Sequence, residues 1–445
     1  MNTPIYSFVK SYADGDVSRL HMPGHKGKSV LGCELYDITE IDGADVLGSP
    51  DGIIAESQRN AAELFGTGAT FYSTEGSSLS IKAMLYTALV NRKDDEKPII
   101  FAARNSHKAF IYGCALLDID IHWLYGEGCG LCRCIISPEM LKNELAAAEK
   151  KPFAVYITSP DYLGGTADIR GLSEICGEFG IPLLVDGAHG AYSAFLGENT
   201  HPINLGATMC CDSAHKTLPV LTPGAYLHLS ANSPEEYRKT ANTAMQIFAT
   251  TSPSYLILQS LDLCNAYLAD DFRRELADCT ERVRKLAERL GSLGWENISN
   301  EPTKITVNCT RCGIHGYAVA EVLRKFKVEC EFADCDNVVL MFTPSNRETD
   351  YDRVYDAFSS VEISEGIKEI ANVDFVRCEK VMTVREAIMS PFEIVETENA
   401  VGRICAAPTV SCPPAIPIAV SGERIGQECA EIFKLYGIEN IAVVK

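Results

Sequence analysis

Two apolar runs of this sequence end in groups that could serve one ligand. The run IPLLVD delivers Asp186 and passes into GAHGAY with His189, while TMCCD passes into SAHKT with Lys216, about 30 residues beyond the aspartate. If the runs are strands of one sheet, a carboxylate and an amine leave it at the C-terminal edge, where open α/β sheets collect their ligands. Upstream, the turn STEGSS at 73–78 opens a helical pattern with hydroxyls and small residues. Thr74, Gly76 and Ser77 can there set amides and hydroxyls around a phosphate at a helix start. Ser213 and His215, directly before Lys216, add contacts from their own turn. The set suits a phosphorylated aldehyde.

Pyridoxal 5'-phosphate needs those partners. A lysine forms its Schiff base, an acid keeps the pyridine nitrogen protonated so that the ring accepts electrons, and a flat side chain stacks on the ring. Lys216 and Asp186 fill the first two roles, and His107 of RNSHKAF is the candidate for the third. Lys216 or His215 then returns a proton to the substrate carbon. Each residue also has a plainer reading: Lys216 as a solvated turn lysine, His107 and His189 as core histidines, Asp186 as a turn or cap residue.

Strands alternating with helices are expected to position these groups, beginning near residue 70. Apolar, partly β-branched runs at 98–103, 154–158, 182–185 and 208–211 read as buried parallel strands, and 225–229 as a further strand. Helical patterns cover 77–90, 108–116, 138–149 and 172–179, giving an α/β architecture. The stretch 254–293 reads as one long helical connector broken at Gly291. Strand patterns at 304–308 and 337–342 around a helix at 317–326 point to a smaller α+β domain, and an acidic segment begins near Phe375. The expected division is an N-terminal arm (1–70), a large domain (71–293), a small α+β domain (294–374) and a C-terminal domain (375–445).

Sixty Asp plus Glu against forty Lys plus Arg give a net charge of −20 over 445 residues, 46% of them hydrophobic. That is a globular composition, and its sign argues against nucleic acid and anionic membrane as partners. The prolines between 404 and 422 argue against a spanning helix there. The N-terminal MNTPIYSFVKSYADGD carries charge and no secretion-type apolar stretch, so a cytoplasmic location is expected, with the eighteen cysteines reduced. Cys129 and Cys132, with Cys134 near, and Cys309 with Cys312 have metal-like spacing. The two pairs lie too far apart for a zinc ribbon, and no metal is expected.

Several of these motifs together resemble the ornithine/lysine/arginine decarboxylases of pyridoxal-phosphate fold type I. SPDYLGG, DGAHGAY and DSAHKTLP resemble the family's major domain, RLHMPGHKG its N-terminal segment, RNSHKAF its ring-stacking motif, and VREAIMSPFE with SCPPAIPIAVSGE its C-terminal domain. The resemblance covers nearly the whole chain and implies an aspartate-aminotransferase-like large domain with a mainly parallel sheet. It implies Lys216 as Schiff-base lysine, Asp186 at the pyridine nitrogen, His107 on the ring face, and Ser213 with His215 near the phosphate. STEGSS departs from the family's NGTS-type loop by placing Glu75 beside a dianion.

The implied reaction is decarboxylation of lysine, ornithine or arginine, with Glu423 and Asp161 as candidate carboxylates for the substrate's distal cation. An aminotransferase or carbon–sulfur lyase, and an inert cofactor-holding module, are the alternatives. The resemblance also implies at least a homodimer with its active site at the subunit interface. His25 and Lys26 either reach a neighbouring site or decorate a loop, and TTSPSY (250–255) either crosses that interface or starts a helix. The receiver-like N-terminal domain of longer family members is not expected here.

Overall fold

The computed structural model describes all residues except 131, 366–375 and 411–415. The acidic segment expected from Phe375 and the start of SCPPAIPIAVSGE fall on those positions. The chain forms two compact units. The first comprises Met1–Asp94, Phe153–Val155 and Ile169–Glu275, and the second Asp95–Pro152, Tyr156–Asp168 and Leu276–Lys445. Strand Ala154–Thr158 passes from one to the other.

In the first unit the strands lie in the order Ala69–Ser73, Ala225–Leu229, Met209–Asp212, Leu183–Asp186. The last two are parallel, pairing Asp186 with Cys211, whereas Ala225–Leu229 runs antiparallel to both of its neighbours. The parallel expectation holds for Leu183–Asp186 with Met209–Asp212, and Ala225–Leu229, expected only as a further strand, enters the sheet antiparallel. Helix Ser77–Val90 buries Leu79, Ile81, Met84 and Leu85 on several faces, as a helix surrounded by other elements must.

The expected connector is two helices, Tyr255–Ala269 and Phe272–Ser292. The break falls at Asp270, whose backbone leaves the helical region, and Gly291 lies inside the second helix. Gly lowers helix propensity without ending a helix that tertiary packing supports.

In the second unit, strands Ile99–Ala103 and Asp120–Leu124 are parallel. Cys279, Val283, Leu286 and Leu290 recur at helical spacing and pack with Trp295, Ile305 and other residues of an apolar core. Strand Lys304–Asn308 pairs antiparallel with Asn337–Met341 there. A second core gathers Ile418, Cys429 and Phe433 beside the antiparallel pair Phe392–Glu396 and Asn440–Val444. Among the described residues no helix is long and apolar enough to cross a membrane. The described cysteines are free thiols, with Cys132, Cys134, Cys309 and Cys312 buried; the side chain of Cys129 lies outside the described residues.

Candidate active site

The STEGSS turn leaves its helix open. Gly76 holds φ +75° at the cap position, a left-handed conformation that other residues adopt only with strain, and no side chain caps the helix behind it. Ser73 Oγ donates to Gly76 O at 2.9 Å and accepts from Glu75 N at 3.1 Å, which stitches the turn. Uncapped first-turn amides at the positive end of a 14-residue helix are suited to a phosphate. Glu75 does not crowd them: its Oε1 accepts the amide of Thr250 at 2.6 Å, so the charge is engaged by the segment before helix Tyr255–Ala269. Thr74 is buried and borders a cavity of about 310 Å³ together with Glu40, Gln58, Tyr72 and Gln246.

The adjacent strand ends bring the other groups in. Lys216 lies on the single helical turn Ala214–Thr217, and its Nζ is 3.0 Å from His189 Nε2. Ser213 Oγ donates to Ser77 Oγ at 2.9 Å, joining the lysine turn to the open helix start. His215 is half-buried, with Nδ1 3.4 Å from Thr222 Oγ1 and its amide bonded to Gly224 O. Burial, and then the charge of Lys216, hold the His215 imidazole below its ordinary pKa, so it is neutral at pH 7. A neutral ring can accept a proton but adds no positive charge to a phosphate site.

Asp186 is 2% exposed, and its Oδ1 accepts from Ala188 N at 3.2 Å and from the Cys211 thiol at 3.5 Å. The following glycine is forced by contact: a Cβ on Gly187 would stand 2.7 Å from Asp212 Oδ1 and 2.8 Å from Cys210 Sγ. On the far face of strand Met209–Asp212, buried His201, Cys210 and Asp212 lie within 4.8 Å of one another, a spacing that a metal could use. His201 Nδ1 accepts the Ile203 amide, which leaves the proton on Nε2, aimed at Asp212 Oδ2 at 2.9 Å. A ligating nitrogen needs its lone pair where that proton sits, so the cluster reads as a hydrogen-bonded network.

Three further candidates lie in the second unit. His107 caps helix Lys108–Leu117, its Nδ1 accepting the Ala109 amide at 3.2 Å. Glu423 requires a correction. Its two carboxylate oxygens each receive a 2.9 Å bond from Arg104, whose guanidinium also lies 4.9 Å from the Trp123 ring centroid, and Oε2 accepts Val420 N as well. A buried fork-to-fork pair of this kind is internal structure and leaves no carboxylate for a substrate cation. Asp161 is engaged differently, by the backbone of its own turn. Its Oδ1 accepts Leu163 N and Gly165 N, closing the SPDYLGG turn, and burial pushes its carboxyl up to about 7.

Sequence reading missed Arg104 and Cys211. An arginine at the end of the apolar run PIIFAA was a visible signal for the first; nothing marked the second. In the N-terminal segment, His25 Nε2 is 3.2 Å from Asp37 Oδ2 and Lys26 Nζ donates to His21 O. In TTSPSY, Ser254 caps the helix that starts at Tyr255.

A family model described as Orn/Lys/Arg decarboxylase, major domain, matches residues 3–306. An arginine decarboxylase of Bacillus subtilis is 29% identical over 97% of this chain and 93% of its own length. An arginine decarboxylase of Halalkalibacterium halodurans is 29% identical over 95% of the chain and 91% of its own. Among solved structures, the constitutive lysine decarboxylase of E. coli matches all of this chain and 82% of its own, with TM-score 0.79 at 18% identity. A serine palmitoyltransferase of Sphingomonas wittichii matches 81% of this chain and 83% of its own at TM-score 0.58 and 16% identity. These likenesses give the chain the pyridoxal-phosphate fold type I.

Proposed function

Because the chain belongs to the Orn/Lys/Arg decarboxylase family, we propose that it removes the α-carboxylate of a basic amino acid with Lys216, Asp186 and the open turn at Gly76 as its working parts. The observation that carries this reading is the convergence of Lys216, His189, Ser213 and Ser77 through two 3 Å contacts at the uncapped start of helix Ser77–Val90. These residues fit pyridoxal 5'-phosphate: helix amides and two serine hydroxyls for the phosphate, an amine for the aldehyde, a buried carboxylate for the ring nitrogen. Bound there, the cofactor supplies a covalent anchor for the substrate amine and a sink for the electrons that carbon dioxide leaves behind.

The chain's own residues do the rest. Asp186 holds a positive charge at the ring nitrogen, His189 holds the Lys216 amine through Nε2, and neutral His215 is placed to carry a proton beside it. His107 is kept as our candidate for the ring face. For the distal cation, Glu40 replaces Glu423 and Asp161, since among the described residues it is the one acidic side chain on the cavity beside Thr74, and no described Lys, Arg or His borders that cavity.

Carbon dioxide release from arginine, lysine and ornithine, with identification of the amine formed, tests the reading. We expect arginine to be the best of the three, as the names of the relatives matched over most of their length support. A keto acid product would point to transamination instead. Glu40→Gln should raise KM about tenfold with kcat little changed, the loss of one charge-assisted hydrogen bond worth about 1.4 kcal/mol.

We further read the protein as cytoplasmic and at least dimeric, with its site at the subunit interface. Leu20 at 93% and Leu31 at 87% exposure support a covering second copy, and sedimentation velocity checks it. The four-part domain division is kept as part of this reading. The separate apolar cores around Trp295 and Phe433 support its last two members, and limited proteolysis tests the boundaries.

A further inference from the structure

We infer that Cys211 is a positioning residue for Asp186: its thiol donates a hydrogen bond to Asp186 Oδ1 and limits the negative charge that this carboxylate presents to the cofactor's ring nitrogen. The inference rests on the reading above that Asp186 faces that nitrogen. The Sγ to Oδ1 distance of 3.5 Å is ordinary for a sulfur donor.

Backbone register enforces the contact. Strands Leu183–Asp186 and Met209–Asp212 are parallel and pair Asp186 with Cys211, so the two side chains project from the same face. The amide of Gly187 bonds to Cys211 O at 2.9 Å and fixes that register at the residue after the carboxylate. Cys210 and Asp212, one step to either side, project to the opposite face, where the Cys210 thiol meets Asp212 at 3.6 Å.

Two cysteines in sequence therefore have separate jobs on separate faces. Cys211 is fully buried, and burial followed by the charge of Asp186 pushes its thiol well above the ordinary range. Its proton stays on sulfur at neutral pH, and the group acts as a donor, not as a second anion beside the first. A thiol is a weak donor, so it draws on the carboxylate without discharging it. Alanine removes this donor, and serine replaces it with a stronger one of similar size.

The test uses purified holoenzyme with three variants, Cys211→Ala, Cys211→Ser and Asp186→Asn. The readouts are the pH midpoint of the bound cofactor's visible absorbance and the nitrogen-15 shift of a ring-labelled cofactor, with thermal melting as the control for packing. We expect Cys211→Ala to raise the midpoint by about half a unit to one unit, the size of one neutral hydrogen bond. Cys211→Ser should stay at or below the wild-type midpoint.

If Asp186→Asn moves the ring-nitrogen shift and Cys211→Ala moves neither readout, the coupling is wrong while the role of Asp186 stands. If Asp186→Asn moves nothing, or the wild type binds no chromophore, the reading beneath the inference has failed instead. Equal shifts in the Ala and Ser variants, accompanied by lower melting temperatures, reduce Cys211 to a packing residue and overturn the inference. Where Cys211→Ala does not fold, the serine variant decides alone: a midpoint at or below wild type supports the donor role, and one above it overturns it.

Discussion

The helix that begins at Ser77 and the helix that begins at Lys108 start on opposite terms. The first follows a glycine at positive φ and has no side-chain cap; the second is closed by His107, whose ring accepts the Ala109 amide. Helices Pro138–Ala147 and Tyr255–Ala269 are closed in the same way, by Ser137 and Ser254. A cap contributes about 1 kcal/mol, and in our proposal the helix that forgoes one beside a cluster of hydroxyls and a lysine keeps its amides for the cofactor phosphate. Two sets of buried polar groups in the second unit follow the other rule. Arg104 with Glu423, and Asp161 with its own turn, satisfy each other inside the protein.

Breaking the closed side of this contrast should have the largest effect. Arg104→Ala leaves the Glu423 carboxylate buried without its fork, and we expect a loss of about 3–5 kcal/mol in urea unfolding. Arg104→Met with Glu423→Leu should recover most of that loss, since a well-packed apolar pair can replace a buried ion pair. Full stability in Arg104→Ala would mean that Glu423 is accessible to solvent or substrate after all.

The next effect is a pH slope from Asp161. Burial raises its carboxyl from the usual 3.8 to about 7, so the folded chain binds this proton more tightly than the unfolded chain. Its contribution to stability is complete below about pH 4 and disappears as pH rises through about 7. Asp161→Asn should flatten the fall in melting temperature between these values, and an unaltered slope would assign the titration elsewhere.

The smallest effect sharpens the open side. Gly76→Ala forces a side chain into a left-handed conformation at about 1–2 kcal/mol, with its Cβ 3.6 Å from Pro223 Cβ. The turn should tilt out of line, and cofactor affinity measured by absorbance titration should fall about tenfold. Unchanged affinity would detach the phosphate from this helix.

What could be read in advance follows from how far each feature reaches along the chain. Helix Ser77–Val90 and strands Ala154–Thr158 and Ala225–Leu229 were legible because apolar periodicity is local. Strand Asp120–Leu124 was not, as its Asp, His and Trp mask an edge strand's pattern, and the break at Asp270 was misplaced because Gly291 looked the stronger breaker. In the proposed site, Lys216, Asp186, Ser213 and Ser77 are legible by residue type at strand and helix ends. Glu423 was misjudged because its partner Arg104 lies 319 positions away, a distance over which sequence carries no pairing information. Cys211 is an apolar letter in an apolar strand, and only the register with Asp186 gives it a task.

Borohydride reduction of the holoenzyme followed by peptide mapping bears most directly on the claim that Lys216 anchors the cofactor. The cofactor mass should be found on Lys216, within the peptide DSAHKTLP, and Lys216→Ala should lose both the label and the visible absorbance. Label on a different lysine, or full absorbance in Lys216→Ala, would place the chemistry elsewhere in the protein.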